Sequence, residues 1–258
     1  MVDDLDPEQL RSQVRGTFGA SITVLEQAAS TMDVAETAAR AGAPDGHVVV
    51  ADQQSSGRGA HGRDWASPPG TDLYFSIVAR PKLEPSTMSL VTLAAGLGVR
   101  DAIAALLPGR PVVVKWPNDI WIERRKCAGI LVESKMLGDR IDALVIGVGV
   151  NVNRLDWPPE LEGIATSVLQ ERGGAPLDRA EVLVALLDQV ERQVKRIVEE
   201  GAASLVRALR PNLALIGRRV RWEDGTGVFE GIDERGAARV RTDAGDRTLH
   251  AARFEPID

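Results

Sequence analysis

Four apolar stretches between residues 112 and 150 decide the predicted fold: Val112-Val-Val-Lys-Trp116, Ile120-Trp-Ile122, Gly129-Ile-Leu-Val-Glu133 and Ala143-Leu-Val-Ile-Gly-Val-Gly-Val150. Each stretch is short, rich in β-branched residues and bounded by polar or Gly/Asp turns, which is typical of β-strands. Strands that follow one another this closely must be mostly antiparallel, because a parallel connection needs a long crossover. The stretches therefore predict a largely antiparallel sheet.

Helices and further strands are predicted on both sides of this region. A strand at 21–26 leads to Ser30, whose hydroxyl can cap a helix that ends at Gly42. Apolar residues at helical spacing and β-branched runs place the other elements. These are strands at 47–52 and 73–79 and helices at 7–16, 88–107, 183–197 and 202–210.

The C-terminal part of the chain has a different pattern. Beyond Ile216, short β segments alternate with turns at Asp224-Gly225, Glu234-Arg-Gly236 and Ala244-Gly245. This pattern predicts a small β-barrel. With Pro211 at the boundary, we expect two domains, 1–212 and 213–258.

Composition excludes several classes of protein. The chain has 258 residues, 44% of them hydrophobic, and 31 Lys+Arg against 37 Asp+Glu give a net charge of −6. With no Lys/Arg cluster on one face, nucleic-acid binding is not expected. The longest apolar runs, such as 141–150, fall short of the ~20 residues of a membrane span, and the start of the chain is too acidic for a signal peptide. We therefore expect a cytoplasmic protein with no membrane partner.

A glycine-rich segment, Gly57-Arg-Gly-Ala-His-Gly-Arg-Asp-Trp65, contains the pattern G-x-G-x-x-G. A dinucleotide site is disfavoured, because its glycines must open a helix and Pro68 and Pro69 prevent one here. The glycines still permit close backbone approach to an anion, and Arg58 and Arg63 can donate to carboxylate or phosphate. The alternative is a solvated surface turn.

Three further polar groups lie at strand ends. Lys115-Trp-Pro-Asn-Asp119 combines a cation, an amide and a carboxylate around a proline, although it could also be a plain strand-ending turn. Lys126 stands at the mouth of a buried strand, where a lysine is usually just solvated. In Gly147-Val-Gly-Val-Asn151-Val-Asn153 the glycines indicate close approach of a ligand or of another backbone, or else a bulge.

Taken in order with Ser30-Thr31 and Gln53-Gln54, these motifs resemble the biotin protein ligases over nearly the whole chain. The resemblance implies an α+β fold with a mixed, largely antiparallel central sheet flanked by helices, as in class II aminoacyl-tRNA synthetases. It also implies that the C-terminal barrel is of the Src-homology-3 type. Residues 1–20 leave no space for the helix-turn-helix domain of some members, so we expect the short form, without repressor function.

Members of this family activate biotin with ATP to biotinyl-5′-adenylate and pyrophosphate. They then pass the biotinyl group to one lysine of the biotin carboxyl carrier protein of a carboxylase. The resemblance therefore implies ATP and biotin as substrates, the carrier protein as partner, and Mg²⁺ brought with ATP, with Asn118 and Asn151 as its oxygen neighbours and no firmly assigned metal ligand. A monomer and a homodimer both stay open.

Roles for individual residues also follow from the resemblance. Lys126 would stabilise charge between the biotin carboxylate and the α-phosphate, Arg58 would hold the adenylate, and Asp119 would orient or deprotonate the carrier lysine. The predicted biotin contacts are Ser30, Thr31, Met32, Gln54, Gly57, Arg58, Gly59, Ala60, Lys126, Gly129 and Gly147. The predicted ATP or adenylate contacts are Arg58, Arg63, Trp65, Lys115, Asn118, Lys126 and Asn151.

The chain departs from the family pattern at three positions. Met32 stands where asparagine is usual, so one amide contact is lost. Ala60 replaces a common arginine, which predicts leakage of the adenylate. Cys127 replaces a common leucine, and we interpret it as a core filler; the segment 55–69 is expected to close over the adenylate.

Two alternative functions stay open on the sequence. A lipoate ligase would have a similar fold, but lipoate lacks the ureido group that Ser30, Thr31 and Gln54 would bind. A non-enzymatic sensor of biotin or nucleotide is the second alternative.

Overall fold

The computed structural model describes residues 4–83, 87–137 and 140–257. Its main sheet has seven strands in the order β1-β2-β3-β7-β6-β5-β4. Only β1 and β2 pair in parallel among these neighbours, which confirms the mixed, largely antiparallel sheet. The strands are β1 (Ile22–Ala28), β2 (His47–Gln54), β3 (Leu73–Ala79), β4 (Val112–Lys115), β5 (Asp119–Ile122), β6 (Arg125–Leu137) and β7 (Arg140–Val150).

Helices cover both faces of this sheet. Ser30 caps α2 as predicted, its hydroxyl accepting a hydrogen bond from the backbone N–H of Met32. The apolar side of α2 packs on one face of the sheet, and the main core lies on the other face under α3 and α5. The helices are α1 (Pro7–Gln13), α2 (Thr31–Arg40), α3 (Met88–Leu106), α4 (Val168–Arg172), α5 (Arg179–Glu200) and α6 (Ala202–Leu209).

Two helix boundaries differ from the prediction for identifiable reasons. Helix α1 ends at Gln13 rather than at residue 16, and the backbone N–H groups of Thr17 and Phe18 donate to the carboxylate of Glu191. Helix α5 begins before its apolar stripe, because Asp178 accepts hydrogen bonds from the first turn. The carboxylate of Glu191 binds the chain just after α1, and the side chain of Asp178 caps α5. Hydrophobic periodicity contains no information about either contact.

Helix α3 corrects the expectation that the apolar segments are too short for a membrane span. Its 19 residues have a mean hydropathy of 1.5, enough to cross a bilayer by length and composition. The prediction counted uninterrupted apolar runs and overlooked this helix. Most of α3 is buried against α5 and the sheet, and its apolar residues belong to the main core. Its hydrophobicity is therefore explained by a core position.

The contact between α3 and α5 requires a glycine at position 98. A Cβ at Gly98 would lie 2.6 Å from the backbone of Gln189 and Val190, whereas one at Gly96 would lie at least 3.7 Å from its neighbours. We expect Gly98→Ala to lower the free energy of unfolding by about 3 kcal/mol. The control Gly96→Ala should change it by less than about 1 kcal/mol, since alanine favours helix. Urea denaturation of both variants tests this, and equal effects would contradict it.

The C-terminal strands form a separate antiparallel sheet, which agrees with the predicted small β-barrel of the Src-homology-3 type. Its strand order is β11-β10-β9-β8-β12, all antiparallel. The Phe254 ring lies 5.0 Å from that of Trp116, whose Nε1 donates to the Gly236 carbonyl at 2.9 Å. This sheet thus packs directly beside the turn between β4 and β5. Its strands are β8 (Arg219–Trp222), β9 (Gly225–Ile232), β10 (Ala238–Thr242), β11 (Gly245–Leu249) and β12 (Glu255–Pro256).

The division into domains 1–212 and 213–258 stays a prediction. Residues 1–3 lie outside the described residues. At the proposed boundary, the Ala214 N–H donates to the Val114 carbonyl at 2.9 Å, so the connecting segment is bonded to the edge of the main sheet.

Candidate functional site

Two adjoining cavities contain most of the predicted site residues. The first cavity, about 30 Å³, lies between α2 and strands β6 and β7. The second cavity, about 470 Å³, extends from it to the C-terminal sheet. Both are lined by Gly59, Ala60, Trp65 and Lys126. These four residues therefore form a wall that the two cavities share.

The polar end of the first cavity is made by the start of α2 and the end of β2. The Thr31 backbone N–H donates to Gln54 Oε1 at 2.9 Å, and the Thr31 hydroxyl lies 2.8 Å from Ser76 Oγ. The Gln54 Nε2 donates to Ser67 Oγ at 2.9 Å. Ser30 is also buried and lines this cavity. This end thus offers donors and acceptors inside an apolar slot.

Glycines on β6 and β7 form the apolar wall of the first cavity. A Cβ at Gly147 would lie 2.7 Å from the Met32 sulfur. The Trp65 indole would lie 2.5 Å from a Cβ at Gly149 and 2.9 Å from one at Gly129. The predicted close approach is therefore made here by side chains of the chain itself. The cavity is far smaller than the ~300 Å³ of a typical ligand pocket, so a ligand requires these side chains to move.

Three ionised side chains meet where the cavities join. Lys126 Nζ lies 2.6 Å from Asp119 Oδ1, and Lys115 Nζ lies 3.9 Å from Asp119 Oδ2. Lys126 Nζ also lies 5.1 Å from the centroid of the Trp65 ring. Burial lowers the pKa of Lys115, an effect that Asp119 opposes. Two ammonium groups and one carboxylate leave a positive charge for an anionic ligand.

Arg58 crosses the mouth of the first cavity. Its guanidinium lies 2.8 Å from Asp33 Oδ1 on α2 and 3.5 Å from Glu133 Oε1 on β6. These ion pairs are partly exposed, so each contributes at most about 1 kcal/mol. A phosphate or carboxylate in the site can therefore compete for Arg58.

The predicted ATP contacts divide between the cavities. Arg63, Trp65, Lys115 and Asn151 line the second cavity. Asn118 instead lines the first cavity, where its Nδ2 donates to the Ile130 carbonyl at 3.0 Å.

Other residues of the second cavity were not found from the sequence. They include Trp121, Arg154, Trp157 and, from the segment just before β12, Arg253 and Phe254. None of these belongs to a motif, and tertiary packing alone brings them to the site.

Packing explains the residue type at two of the predicted positions, Gly57 and Cys127. Gly57 borders the loop behind the cavities, where a Cβ would lie 2.5 Å from the Trp65 carbonyl oxygen. Cys127 is fully buried in the main core, and burial raises the pKa of its thiol. A buried, protonated thiol agrees with a core filler rather than a nucleophile.

The donor set of the site suits a metal ion that is held mainly by a nucleotide. Within the described ranges, no group of three or more His, Cys, Asp and Glu side chains could hold a metal ion. The Asn151 Nδ2 donates to the Thr166 carbonyl at 3.0 Å, so that amide is already oriented by the protein. A Mg²⁺ held mainly by phosphate oxygens and water agrees with this donor set.

The sequence and the fold match a known family of protein ligases. Residues 24–151 match the Biotin/lipoate A/B protein ligase family, and residues 215–255 match the Biotin protein ligase C terminal domain. The chain is 35% identical to the biotin--[acetyl-CoA-carboxylase] ligase of Mycobacterium tuberculosis, over 95% of this chain and 92% of that protein. It is also 35% identical to the bifunctional ligase/repressor BirA of Bacillus subtilis, over 88% of this chain and 71% of that protein.

A solved structure agrees with these relatives. The biotin protein ligase from Aquifex aeolicus in complex with biotin and ATP is 30% identical, has a TM-score of 0.79, and is matched over 92% of this chain and 98% of that chain. The chain belongs to the biotin protein ligase family.

Proposed function

We propose that this chain is a biotin protein ligase, which activates biotin with ATP and transfers the biotinyl group to a lysine of a biotin carboxyl carrier protein. The observation that carries the proposal is the position of Lys126. Its ammonium lies on the wall shared by both cavities, where an acid in the first cavity and a nucleotide in the second would meet.

The first cavity suits biotin. The ureido ring has one carbonyl acceptor and two N–H donors, which Ser30, Thr31 and Gln54 can satisfy in an otherwise apolar slot. The aliphatic tail would lie along Gly147 and Gly129 once Met32 and Trp65 move aside. The carboxylate would then point toward Lys126.

The second cavity suits ATP. Trp65 offers an aromatic face and Asn151 an amide for adenine, while Arg63 and Lys115 offer cations for the phosphates. Mg²⁺ brought with ATP would further neutralise phosphate charge, with Asn118 and Asn151 as neighbours. Arg58 would leave Asp33 and Glu133 to hold the adenylate.

Two steps then follow from this arrangement. In the first, a biotin carboxylate oxygen attacks the α-phosphorus, the bond to the β-phosphate breaks, and pyrophosphate leaves. Lys126 stabilises the charge that develops between the two anions. In the second, Asp119 orients the carrier lysine or accepts its proton, the neutral amine attacks the acyl carbon, and AMP leaves.

The surroundings of the reaction are also part of the proposal. We expect the partner to be the carrier protein or domain of acetyl-CoA carboxylase or a related carboxylase. The net charge of −6 argues against general nucleic-acid binding. A cytoplasmic location, no membrane partner and no repressor role complete the proposal. The proposal accommodates a monomer or a homodimer.

Incubation with ATP, Mg²⁺ and either biotin or lipoate, followed by mass analysis, tests the function. We expect biotinyl-5′-adenylate and pyrophosphate from biotin and no adenylate from lipoate. A lipoyl-adenylate as the main product would instead indicate a lipoate ligase. Binding of biotin without any adenylate would indicate a sensor.

Ala60 should affect how long the adenylate stays bound. It lies on the wall shared by the cavities and offers no side-chain donor there. We expect Ala60→Arg to slow release of free biotinyl-adenylate roughly tenfold, because a charged hydrogen bond contributes about 1.5 kcal/mol. Release after rapid filtration measures this, with Ala244→Arg in an exposed turn as the control. Equal release from Ala60→Arg and the unaltered protein would contradict the role.

A further inference from the structure

The short segment from Trp65 to Ser67 lies between the two cavities. Trp65 lines both cavities, and Ala66 lines the second. Ser67 is buried behind them. The segment is therefore placed to transmit a change from one cavity to the other.

On the side of the first cavity, hydrogen bonds join this segment to the proposed ureido contacts. Gln54 accepts a hydrogen bond from the Thr31 N–H through Oε1, and its Nε2 donates to Ser67 Oγ at 2.9 Å. The Ser67 hydroxyl in turn donates to the Trp65 carbonyl at 2.9 Å. One hydroxyl thus accepts from Gln54 and donates to the backbone that carries the indole.

Packing at Gly57 keeps these groups together. A Cβ at Gly57 would lie 2.7 Å from Ser67 Oγ and 2.9 Å from Gln54 Nε2. The Trp65 N–H also donates to the Gly57 carbonyl at 2.8 Å. Because the relay is tightly packed on the side of Gly57, a shift of the Gln54 amide in that direction is passed to Ser67.

On the side of the second cavity, Arg154 holds Ala66, the residue that follows Trp65. Its guanidinium donates to the Ala66 carbonyl at 2.9 Å and pairs with the fully buried Asp72 at 2.7 Å. It also lies 5.2 Å from the Trp157 ring. With Ala66 held in this way, a displacement that arrives through Ser67 acts on Trp65.

The Trp65 indole can respond to such a displacement. Its Nε1 is buried and, within the described part of the chain, makes no hydrogen bond. The ring packs on Gly129 and Gly149, and the Lys126 ammonium lies 5.1 Å from its centroid. A ligand in the first cavity requires the ring to leave these glycines, and the second cavity is where it can go.

We infer that Ser67 is a positioning residue that couples occupation of the first cavity to the placement of Trp65 for the nucleotide. The inference rests on the proposed function. Biotin would engage Gln54 and Thr31, and the Ser67 hydroxyl would pass this change to the Trp65 backbone. ATP would then bind more tightly when biotin is already bound.

Calorimetric titration with α,β-methylene-ATP, without and with saturating biotin, tests the coupling. In the unaltered protein we expect biotin to lower the Kd of the nucleotide analogue by about fivefold or more. In Ser67→Ala the ratio of the nucleotide Kd without biotin to that with biotin should fall to about 1. The Kd of biotin alone should change less than about threefold, as expected for one lost hydrogen bond. Ser67→Thr, which keeps the hydroxyl, should retain the ratio, and the exposed Ser55→Ala serves as the matched control.

Each alternative result has a distinct meaning. A wild-type ratio near 1, or an unchanged ratio in Ser67→Ala, would overturn the coupling while leaving ligase activity intact. A protein that forms no biotinyl-adenylate would overturn the proposed function as well. If Ser67→Ala fails to fold, Ser67→Cys keeps the shape with a much weaker donor and acceptor, and the same loss of ratio is expected.

Discussion

Replacing Lys126 with methionine is expected to lower the rate of biotin-dependent ATP–pyrophosphate exchange by about 10²–10³-fold. The ammonium is the cation on the wall between the cavities, where both the carboxylate and the α-phosphate bring negative charge. Methionine keeps most of the length and the apolar stem but removes the charge. The rate is to be measured at saturating biotin and ATP, so that weaker binding does not account for the loss.

Lys135→Met provides a matched control on the same strand. Lys135 also lies on β6, but its ammonium pairs with Glu36 at 2.7 Å, outside both cavities. This variant should exchange pyrophosphate at a rate within about twofold of the unaltered protein, since surface ion pairs contribute little. If Lys126→Met retained more than about a tenth of the rate, the role of Lys126 as the main charge stabiliser would be wrong.

Replacing Asp119 with asparagine is expected to impair transfer more than activation. Starting from preformed biotinyl-adenylate, transfer to the carrier should slow by about 10²–10³-fold, the usual contribution of a positioned general base. Activation should change less, because Lys126 keeps its charge and is freed from its 2.6 Å ion pair. Single-turnover transfer and pyrophosphate exchange, measured on one preparation, separate the two steps.

Asp64→Asn is the corresponding control for Asp119. Asp64 lines the second cavity but is exposed, so its loss should leave transfer nearly unchanged. Equal losses of activation and transfer in Asp119→Asn would contradict its assignment to the carrier lysine.

The sequence predicted the sheet well because its signals are local. β-Branched runs bounded by turns mark β4, β5 and β7, and the Ser30 cap marks the start of α2. Helix α1 was predicted too long: the backbone becomes extended at Val14, and the Thr17 and Phe18 N–H groups that follow donate to Glu191, more than 170 residues away. Local patterns therefore predicted which elements exist better than where they end.

The same distinction applies to the site. Lys126, Asp119 and Arg58 were identifiable because each belongs to a motif. Ser67 and Arg154 carry no comparable signal. Arg154 reaches the Ala66 carbonyl across 88 residues of sequence, and only the folded chain shows that contact.

The glycines illustrate a further limit of prediction from sequence. Gly147 and Gly149 were predicted to permit close approach of a ligand or another backbone, and the structure places the side chains of Met32 and Trp65 against them. Lack of a side chain indicates that something approaches closely, but it does not distinguish a ligand from a neighbouring residue. The same contacts explain why the first cavity has to widen before it can hold a ligand.

A crystal structure with biotin and α,β-methylene-ATP bound together is the most direct test of the account. It should place Lys126 Nζ within about 3 Å of both a biotin carboxylate oxygen and an α-phosphate oxygen. The ureido ring should lie against Ser30, Thr31 and Gln54. Lys126 still paired with Asp119 and remote from both anions would contradict the account.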